Sequence, residues 1–177
     1  MPHIHGVAWI SQDYLNTIGI TGELSCHPEK AAQLADKIMS CNTSSDNASI
    51  NDIAKEVQMH KHTKSCRKYG TNCRYGFPRL PSRKTLVATP LDENMNEDLK
   101  KAKLQKSKDI LTKAREVLEN PDLDDEMSFD DYLNTLNVTD KEYHEALGTM
   151  TKGFQLVLKR SVKDRNINNF CPEWLKA

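Results

Sequence analysis

Alternating apolar and polar residues predict strands near both ends of the chain. In residues 2–10, PHIHGVAWI, apolar side chains occupy both faces of an extended segment, which is typical of a strand buried in a sheet. In residues 153–160, GFQLVLKR, Phe154, Leu156 and Leu158 alternate with Gln155 and Val157. We therefore expect residues 3–10 and 154–159 to lie in one small antiparallel sheet.

Helical patterns dominate between these two segments. Residues 28–39 combine a helical apolar face with a proline in the first turn, and Ser49 with Asp52 predicts a second helix that continues to about His60. A long helix is predicted from Asn94 to Leu118, with sparse apolar contacts. The sequence thus predicts an α+β fold in which helices cover the sheet.

Capping signals predict two shorter helices after the long one. Ser128 can cap a helix that runs to about Leu136. Thr139 and Glu142 form a capping box for a helix that ends near Gly148. The last eleven residues, INNFCPEWLKA, are rich in turn formers, with Phe170 and Trp174 as aromatic residues that we expect to be buried.

The length of 177 residues and the composition fit one domain, or two small ones. Hydrophobic residues make up 37% of the chain and charged residues 28%, which is polar for a globular domain but short of a disordered composition. No apolar run approaches the ~18 residues that a membrane-spanning helix needs. The N-terminus lacks the pattern of a secretory signal, so an intracellular protein without a membrane partner is expected.

The net charge of zero conceals two segregated blocks. Nine Lys or Arg residues and one acid, Glu56, lie between Lys55 and Lys84, whereas seven acids and no base lie between Glu119 and Asp131. The basic block suggests a face that binds a polyanion. The alternative is a solvated basic run that pairs with the acidic one.

Within the basic block, residues 60–83 carry four potential metal ligands in the pattern His60-x-His62-x3-Cys66-x6-Cys73. The segment has almost no apolar periodicity and cannot form a core of its own. Two histidines and two cysteines are a tetrahedral zinc set, and binding the ion would supply folding energy. We predict a structural zinc site here, in a loop inserted into the fold.

The other three cysteines, Cys26, Cys41 and Cys171, bring the total to an odd number in a lysine-rich chain. This usage argues against a disulfide framework and favours a reducing compartment. We expect these three residues to be free, buried thiols.

Bases and aromatic rings alternate around the predicted zinc ligands. Bases track phosphates and rings stack on nucleobases, the combination used to bind single-stranded DNA or RNA. The predicted contact residues are Lys61, Lys64, Arg67, Lys68, Tyr69, Arg74, Tyr75, Phe77 and Arg79.

A second potential metal site is the pair His3 and His5 on the N-terminal segment. Residues two apart on a strand point to the same side and lie about 6–7 Å apart. Two imidazoles at this spacing can hold one divalent metal and leave positions open for a further ligand and a substrate phosphate. Taken alone, the pair is a weak signal.

Three segments together resemble a known family. PHIHGVAWI resembles the metal-binding strand of rolling-circle replication endonucleases, the HUH superfamily. HKHTKSC…CRYGFPRLP and LVLKRSVKDRNINNFCPEWLKA resemble later segments of Helitron-type transposases, in the same order within the helitron helicase-like domain. By resemblance, residues 1–177 correspond to part of that domain, and a nuclear location is expected.

The resemblance implies a chemistry. In the family, Mg²⁺ or Mn²⁺ held by the two histidines polarises a phosphate, and a tyrosine attacks it and remains linked to the 5′ end of the cut strand. By position, His3 and His5 would be the catalytic metal ligands here.

The sequence departs from the family at the nucleophile. The family's tyrosines follow the segment that resembles CPEWL, and none of the five tyrosines of this chain occupies that motif. Upstream sequence and a downstream helicase region are expected to be missing partners from the same polyprotein. The resemblance therefore implies a chain that binds single-stranded DNA but does not cleave it covalently.

Three functions remain open from the sequence. The first is a fragment of a nicking transposase, and the second is a zinc-stabilised nucleic-acid-binding module without activity. The third is a protein-interaction domain that uses the acidic helices from residue 119 onward. Metal-dependent nicking separates the first from the second, and salt-sensitive DNA binding separates the second from the third.

Overall fold

The computed structural model describes residues 10–22, 27–44, 46–66 and 73–175. Residues 3–9 of the predicted N-terminal strand, with His3 and His5, lie outside these ranges. Cys26 also lies outside them, as do Arg67, Lys68 and Tyr69.

Helices account for most of the regular structure in the described ranges. They are α1 (Gln12–Thr17), α2 (Pro28–Ile38), α3 (Ala48–Val57), α4 (Glu97–Glu119), α5 (Phe129–Leu136), α6 (Asp140–Leu147) and α7 (Pro172–Leu175). A 3-10 helix covers Lys163–Asn166. The five helices predicted from residue 28 onward are present as α2 to α6, whereas α1 and α7 have no counterpart in the sequence prediction.

Side-chain caps fix where several of these helices begin. The Ser128 side chain accepts a hydrogen bond from the Asp131 amide at the start of α5, and Thr139 with Glu142 forms the predicted capping box of α6. The cap of α3 differs from the prediction. Asn47 accepts from the Ile50 amide, which places Ser49 inside the helix rather than at its start.

The apolar face of α2 is buried over most of its length. Ala31, Leu34 and Ala35 are buried, but Ile38, which lies one turn after Leu34 on the same helical face, is 42% exposed. The helix ends at this residue, where the chain turns into an extended conformation at Met39. The last apolar position of the pattern therefore reaches past the core.

The three-stranded sheet of the described residues is mixed rather than antiparallel, which corrects the prediction. It consists of β1 (Leu86–Pro90), β2 (Thr149–Met150) and β3 (Gln155–Val157), in the order β2-β1-β3. The β1–β3 pair is antiparallel and the β1–β2 pair is parallel. The predicted strand at 154–159 is present but shorter, and Phe154 is 55% exposed beside it.

Two hydrophobic clusters stabilise the fold. The first joins α4, α5 and α6 around Tyr132, Tyr143 and Leu136. The second joins α2 and α3 around Cys41 and Ala54. Val162 belongs to the first cluster, and Leu158, Ile167 and Phe170 belong to the second, so residues 158–170 connect the two.

Residues 158–170 also pair with three distant parts of the chain. Isolated bridges join Ser82 to Arg160, Met59 to Ile167 and Ser40 to Phe170. This segment holds the end of α2, the end of α3 and the approach to β1 in fixed positions.

A buried polar network organises this connecting segment from within. Arg160 is 5% exposed and donates to the carbonyls of Asp164 and Ile167, at 2.6 Å each. Asp164 is 1% exposed and accepts from the Thr43 and Ser161 hydroxyls, at 2.6 Å each. Because buried charges need such partners, the network fixes the path of residues 160–167.

Candidate metal centre

Four side chains converge in the segment that follows α3. One ligand atom each from His60, His62, Cys66 and Cys73 lies within 4.8 Å of the other three. His62 Nδ1 is 3.5 Å from Cys66 Sγ, and His60 Nε2 is 3.3 Å from Cys73 Sγ. Ligand atoms of one tetrahedral ion lie at about this separation, since metal–ligand bonds of about 2.0–2.3 Å radiate from a common centre. The group could hold a metal ion.

Tight backbone turns bring the two cysteines to the site. The Thr63 amide donates to Cys66 Sγ at 3.2 Å, and the Arg74 amide donates to the Cys66 carbonyl at 2.9 Å. The Gly76 amide then closes a turn onto the Cys73 carbonyl at 2.9 Å. Gly76 has φ +72°, a left-handed conformation that glycine adopts without strain.

The two ends of the ligand-bearing segment attach to adjacent residues of the 3-10 helix. The His60 amide donates to the Asn166 carbonyl and the Arg79 amide donates to the Arg165 carbonyl, both at 2.7 Å. The rigid connecting segment therefore sets where the loop begins and ends. The sequence gives no local signal for these anchors, because they lie about a hundred residues further along the chain.

Aromatic packing holds the first ligand in place. The Phe77 ring stacks on His60, with a centroid distance of 4.3 Å and an interplanar angle of 10°. Burial, followed by the nearby His62 and Arg79, lowers the pKa of His60. A lowered pKa favours the neutral imidazole, which is the form that binds metals.

Phe77 differs from its predicted role. We expected its ring to stack on nucleobases, but it is only 4% exposed and one face covers His60. Arg79 lies over the same ring, 4.9 Å from its centroid. Phe77 is thus part of the support of the ligand group rather than an exposed stacking surface.

The other described members of the predicted nucleic-acid surface are exposed. Lys61, Lys64, Arg74 and Arg79 are exposed, and Tyr75 is 47% exposed. The Arg74 guanidinium lies over the Tyr75 ring, 4.6 Å from its centroid, and donates a hydrogen bond to the Tyr75 hydroxyl. A cation and a ring are therefore presented together immediately after Cys73.

Ion pairs between the basic and acidic blocks involve other bases. Arg83 pairs with Asp130 and Asp140, and outside the basic block Arg165 pairs with Asp125 at 2.8 Å. Within the described ranges, none of the four exposed bases beside the ligands forms an ion pair. The acidic run therefore pairs in part with bases, as in the alternative interpretation. Among the residues that the structure describes, it forms no ion pair with Lys61, Lys64, Arg74 or Arg79.

The remaining thiols agree only partly with expectation. Cys41 and Cys171 are free, as predicted. Cys41 is buried, and burial raises its pKa to about 11, whereas Cys171 is only half-buried.

In the part of the chain that the structure describes, no helix is both long and apolar enough to span a bilayer.

No protein-family model, no curated protein and no solved structure matches this chain. The relationship to Helitron-type transposases stays a prediction from three sequence motifs.

Proposed function

We propose that this chain is a single-stranded DNA-binding module whose segment 60–79 folds around one structural zinc ion. The convergence of His60, His62, Cys66 and Cys73 within 4.8 Å supports it most directly. Among the described residues of this segment, the buried apolar side chains are few, with Phe77 the one aromatic, so a bound ion would supply the cohesion that packing supplies elsewhere.

The donor set favours zinc in a structural role. Two thiolates and two imidazoles suit Zn²⁺ in tetrahedral geometry, while carboxylate and carbonyl oxygens would suit Mg²⁺ or Ca²⁺. With all four positions filled by protein atoms, no site remains for a substrate or an activated water. The ion would therefore hold the loop rather than catalyse a reaction.

The exposed surface of the loop fits a flexible polyanion. Lys61, Lys64 and Arg74 offer cations without competing ion pairs among the described residues, and Tyr75 offers a ring. Single strands present phosphates and unstacked bases together, which this combination binds. Duplex DNA would use the cations but not the ring.

The experiment measures affinity for a fluorescent oligonucleotide by anisotropy as salt is raised from low to physiological concentration. Replacing Lys61 and Lys64 by Gln should flatten the slope of log affinity against log salt by about 1.4, or about 0.7 for each lost phosphate contact. Replacing Tyr75 by Ala should weaken binding by about 1–3 kcal/mol with the slope unchanged.

The matched control replaces Lys101 and Lys103, two exposed bases of α4, by Gln. This variant carries the same change of charge and should keep the wild-type slope. Equal slopes in both double variants would refute the proposed surface, and so would unchanged binding in all of them.

The sequence resemblance favours a wider role in rolling-circle transposition. On this second proposal, His3 and His5 hold Mg²⁺ or Mn²⁺ and the protein acts on DNA in the nucleus.

The test for covalent cleavage is to incubate the chain with labelled single-stranded DNA and Mn²⁺. We expect no adduct that survives denaturation, because no tyrosine matches the family's nucleophile. An adduct that disappears when one of the five tyrosines is replaced would identify a working endonuclease.

A further inference from the structure

The ligand group contains two sulfur atoms close to each other. Cys66 Sγ and Cys73 Sγ lie within 4.8 Å of each other and are seven residues apart in sequence. A disulfide needs the sulfurs at about 2.05 Å, so a modest movement of either side chain would join them. Cys66 is buried and Cys73 is partly buried, so Cys73 is the more accessible of the two thiols.

We propose that Cys66 and Cys73 are an oxidation-sensitive pair, which hydrogen peroxide converts to a disulfide with release of the zinc ion and loss of single-stranded DNA binding. The inference rests on the proposed function, because it concerns the regulation of that same site.

The reaction proceeds in two balanced steps. The Cys73 thiolate attacks one peroxide oxygen, so that an S–O bond forms, the O–O bond breaks and hydroxide leaves. The Cys66 thiolate then attacks the sulfur of the Cys73 sulfenic acid, so that the S–S bond forms, the S–O bond breaks and a second hydroxide leaves. The two sulfurs supply two electrons, peroxide is reduced, and two protons from solvent convert both hydroxides to water.

Oxidation removes half of the ligand set. A disulfide sulfur no longer carries the thiolate charge that binds zinc, and His60 with His62 cannot close a four-coordinate site alone. Arg74 and Tyr75 follow Cys73 directly, so loss of the ion releases the residues that we propose to contact DNA. Zinc release and loss of binding should therefore occur together.

The other described thiols provide internal controls. Cys41 is 1% exposed and its Sγ lies 3.2 Å from the Lys159 carbonyl, and its raised pKa keeps it a thiol. Cys171 is half-buried like Cys73. Among the described residues, neither Cys41 nor Cys171 joins a group of three or more potential ligands. Accessibility alone would oxidise Cys171 as readily as Cys73.

The experiment uses the full chain, reduced and loaded with zinc, and treats it with a small excess of hydrogen peroxide. Released zinc is followed with a chromophoric indicator, cysteines are mapped by mass spectrometry of peptides, and oligonucleotide binding is measured by anisotropy. We expect one zinc ion released per chain, a Cys66–Cys73 disulfide, and an affinity reduced to that of the chelator-treated chain. Dithiothreitol with added zinc should restore all three, and Cys171→Ser should behave as wild type.

The outcomes separate this inference from the proposal beneath it. A reduced chain that holds no zinc, or that binds no single-stranded DNA, overturns both. A zinc-loaded, DNA-binding chain overturns the inference alone if Cys66 and Cys73 stay reduced. The same holds if zinc remains bound after they are joined, or if Cys171→Ser abolishes the response.

Discussion

At the scale of single residues, Phe77 supports the ligand group with its buried ring. It is the one core aromatic of the described part of segment 60–79, and its ring lies flat on His60. Sequence alone could not separate it from Tyr75, because both are aromatic residues among bases. The difference is burial, 4% against 47% exposure, which depends on where the chain turns after Gly76.

Replacing Phe77 by Ala should weaken zinc binding, because the ring that positions His60 is lost. Truncation of a buried phenylalanine costs about 3–5 kcal/mol, and in a segment that we propose to fold around zinc this cost reduces metal affinity. Competition with a chromophoric chelator measures it. Phe77→Leu should retain most of the affinity. Tyr75→Ala removes a 47% exposed ring that meets His60 only edge-on, with a centroid distance of 5.8 Å, and should lose less affinity than Phe77→Ala. Equal zinc affinity in Phe77→Ala and wild type would contradict this role.

At the scale of helices and strands, the sequence predicted the features that depend on interactions between residues close together in the chain. The caps at Ser128 and Thr139 follow from hydrogen bonds that span three residues, and both are present. The strand β1 was not predicted, because its partners begin at Thr149 and Gln155, about sixty residues later. The parallel pairing of β1 with β2 was not predicted for the same reason. Residues that pair across such distances carry no local signature of orientation.

Glu142 gives the capping box a pH dependence. Its carboxylate accepts from the Lys106 ammonium at 2.7 Å and from the Thr139 amide at 3.1 Å, which together tie α4 to the start of α6. Lys106 first, and then Thr139, lower the pKa of Glu142 to about 2 from 4.5. Because the folded pKa lies below the unfolded one, the carboxylate stabilises the fold fully above pH 4.5 and progressively less as pH falls toward 2.

Replacing Glu142 by Gln should therefore destabilise the protein at neutral pH, and the difference from wild type should shrink as pH falls below 4.5. Urea denaturation at several pH values measures both effects. Glu145→Gln, on the same helix, removes only a weak surface pair with Lys141 and should change little at any pH. A Glu142→Gln deficit that is constant with pH would show that the carboxylate charge has no part in it.

At the scale of the whole molecule, residues 158–170 connect both hydrophobic clusters and the ligand-bearing loop. The ligands themselves were predictable because all four lie within fourteen consecutive residues and are chemically distinctive. Their anchors at Arg165 and Asn166 were not, since backbone hydrogen bonds carry no side-chain signal. Because both ends of the loop attach to this connecting segment, loss of the ion should lower the stability of the fold beyond the loop.

Removing zinc with a chelator should lower the thermal midpoint of the whole chain. A ligand at about a hundred times its dissociation constant stabilises the folded state by about 2.7 kcal/mol. In a chain of this size, each kcal/mol corresponds to about 2–4 °C. Circular dichroism during heating, with and without chelator, gives the shift. A Cys73→Ser variant, lacking one ligand, should melt lower and respond less to the chelator. An unchanged midpoint in the wild type would contradict the coupling.

The proposed zinc site is tested most directly by identifying the bound metal and its ligands. We would measure the zinc content of the purified, reduced chain by elemental analysis and its coordination by X-ray absorption at the zinc edge. We predict one zinc ion per chain with two sulfur and two nitrogen neighbours, at about 2.3 Å and 2.0–2.1 Å. Absence of stoichiometric zinc after purification and reconstitution, or a shell dominated by oxygen, would contradict it.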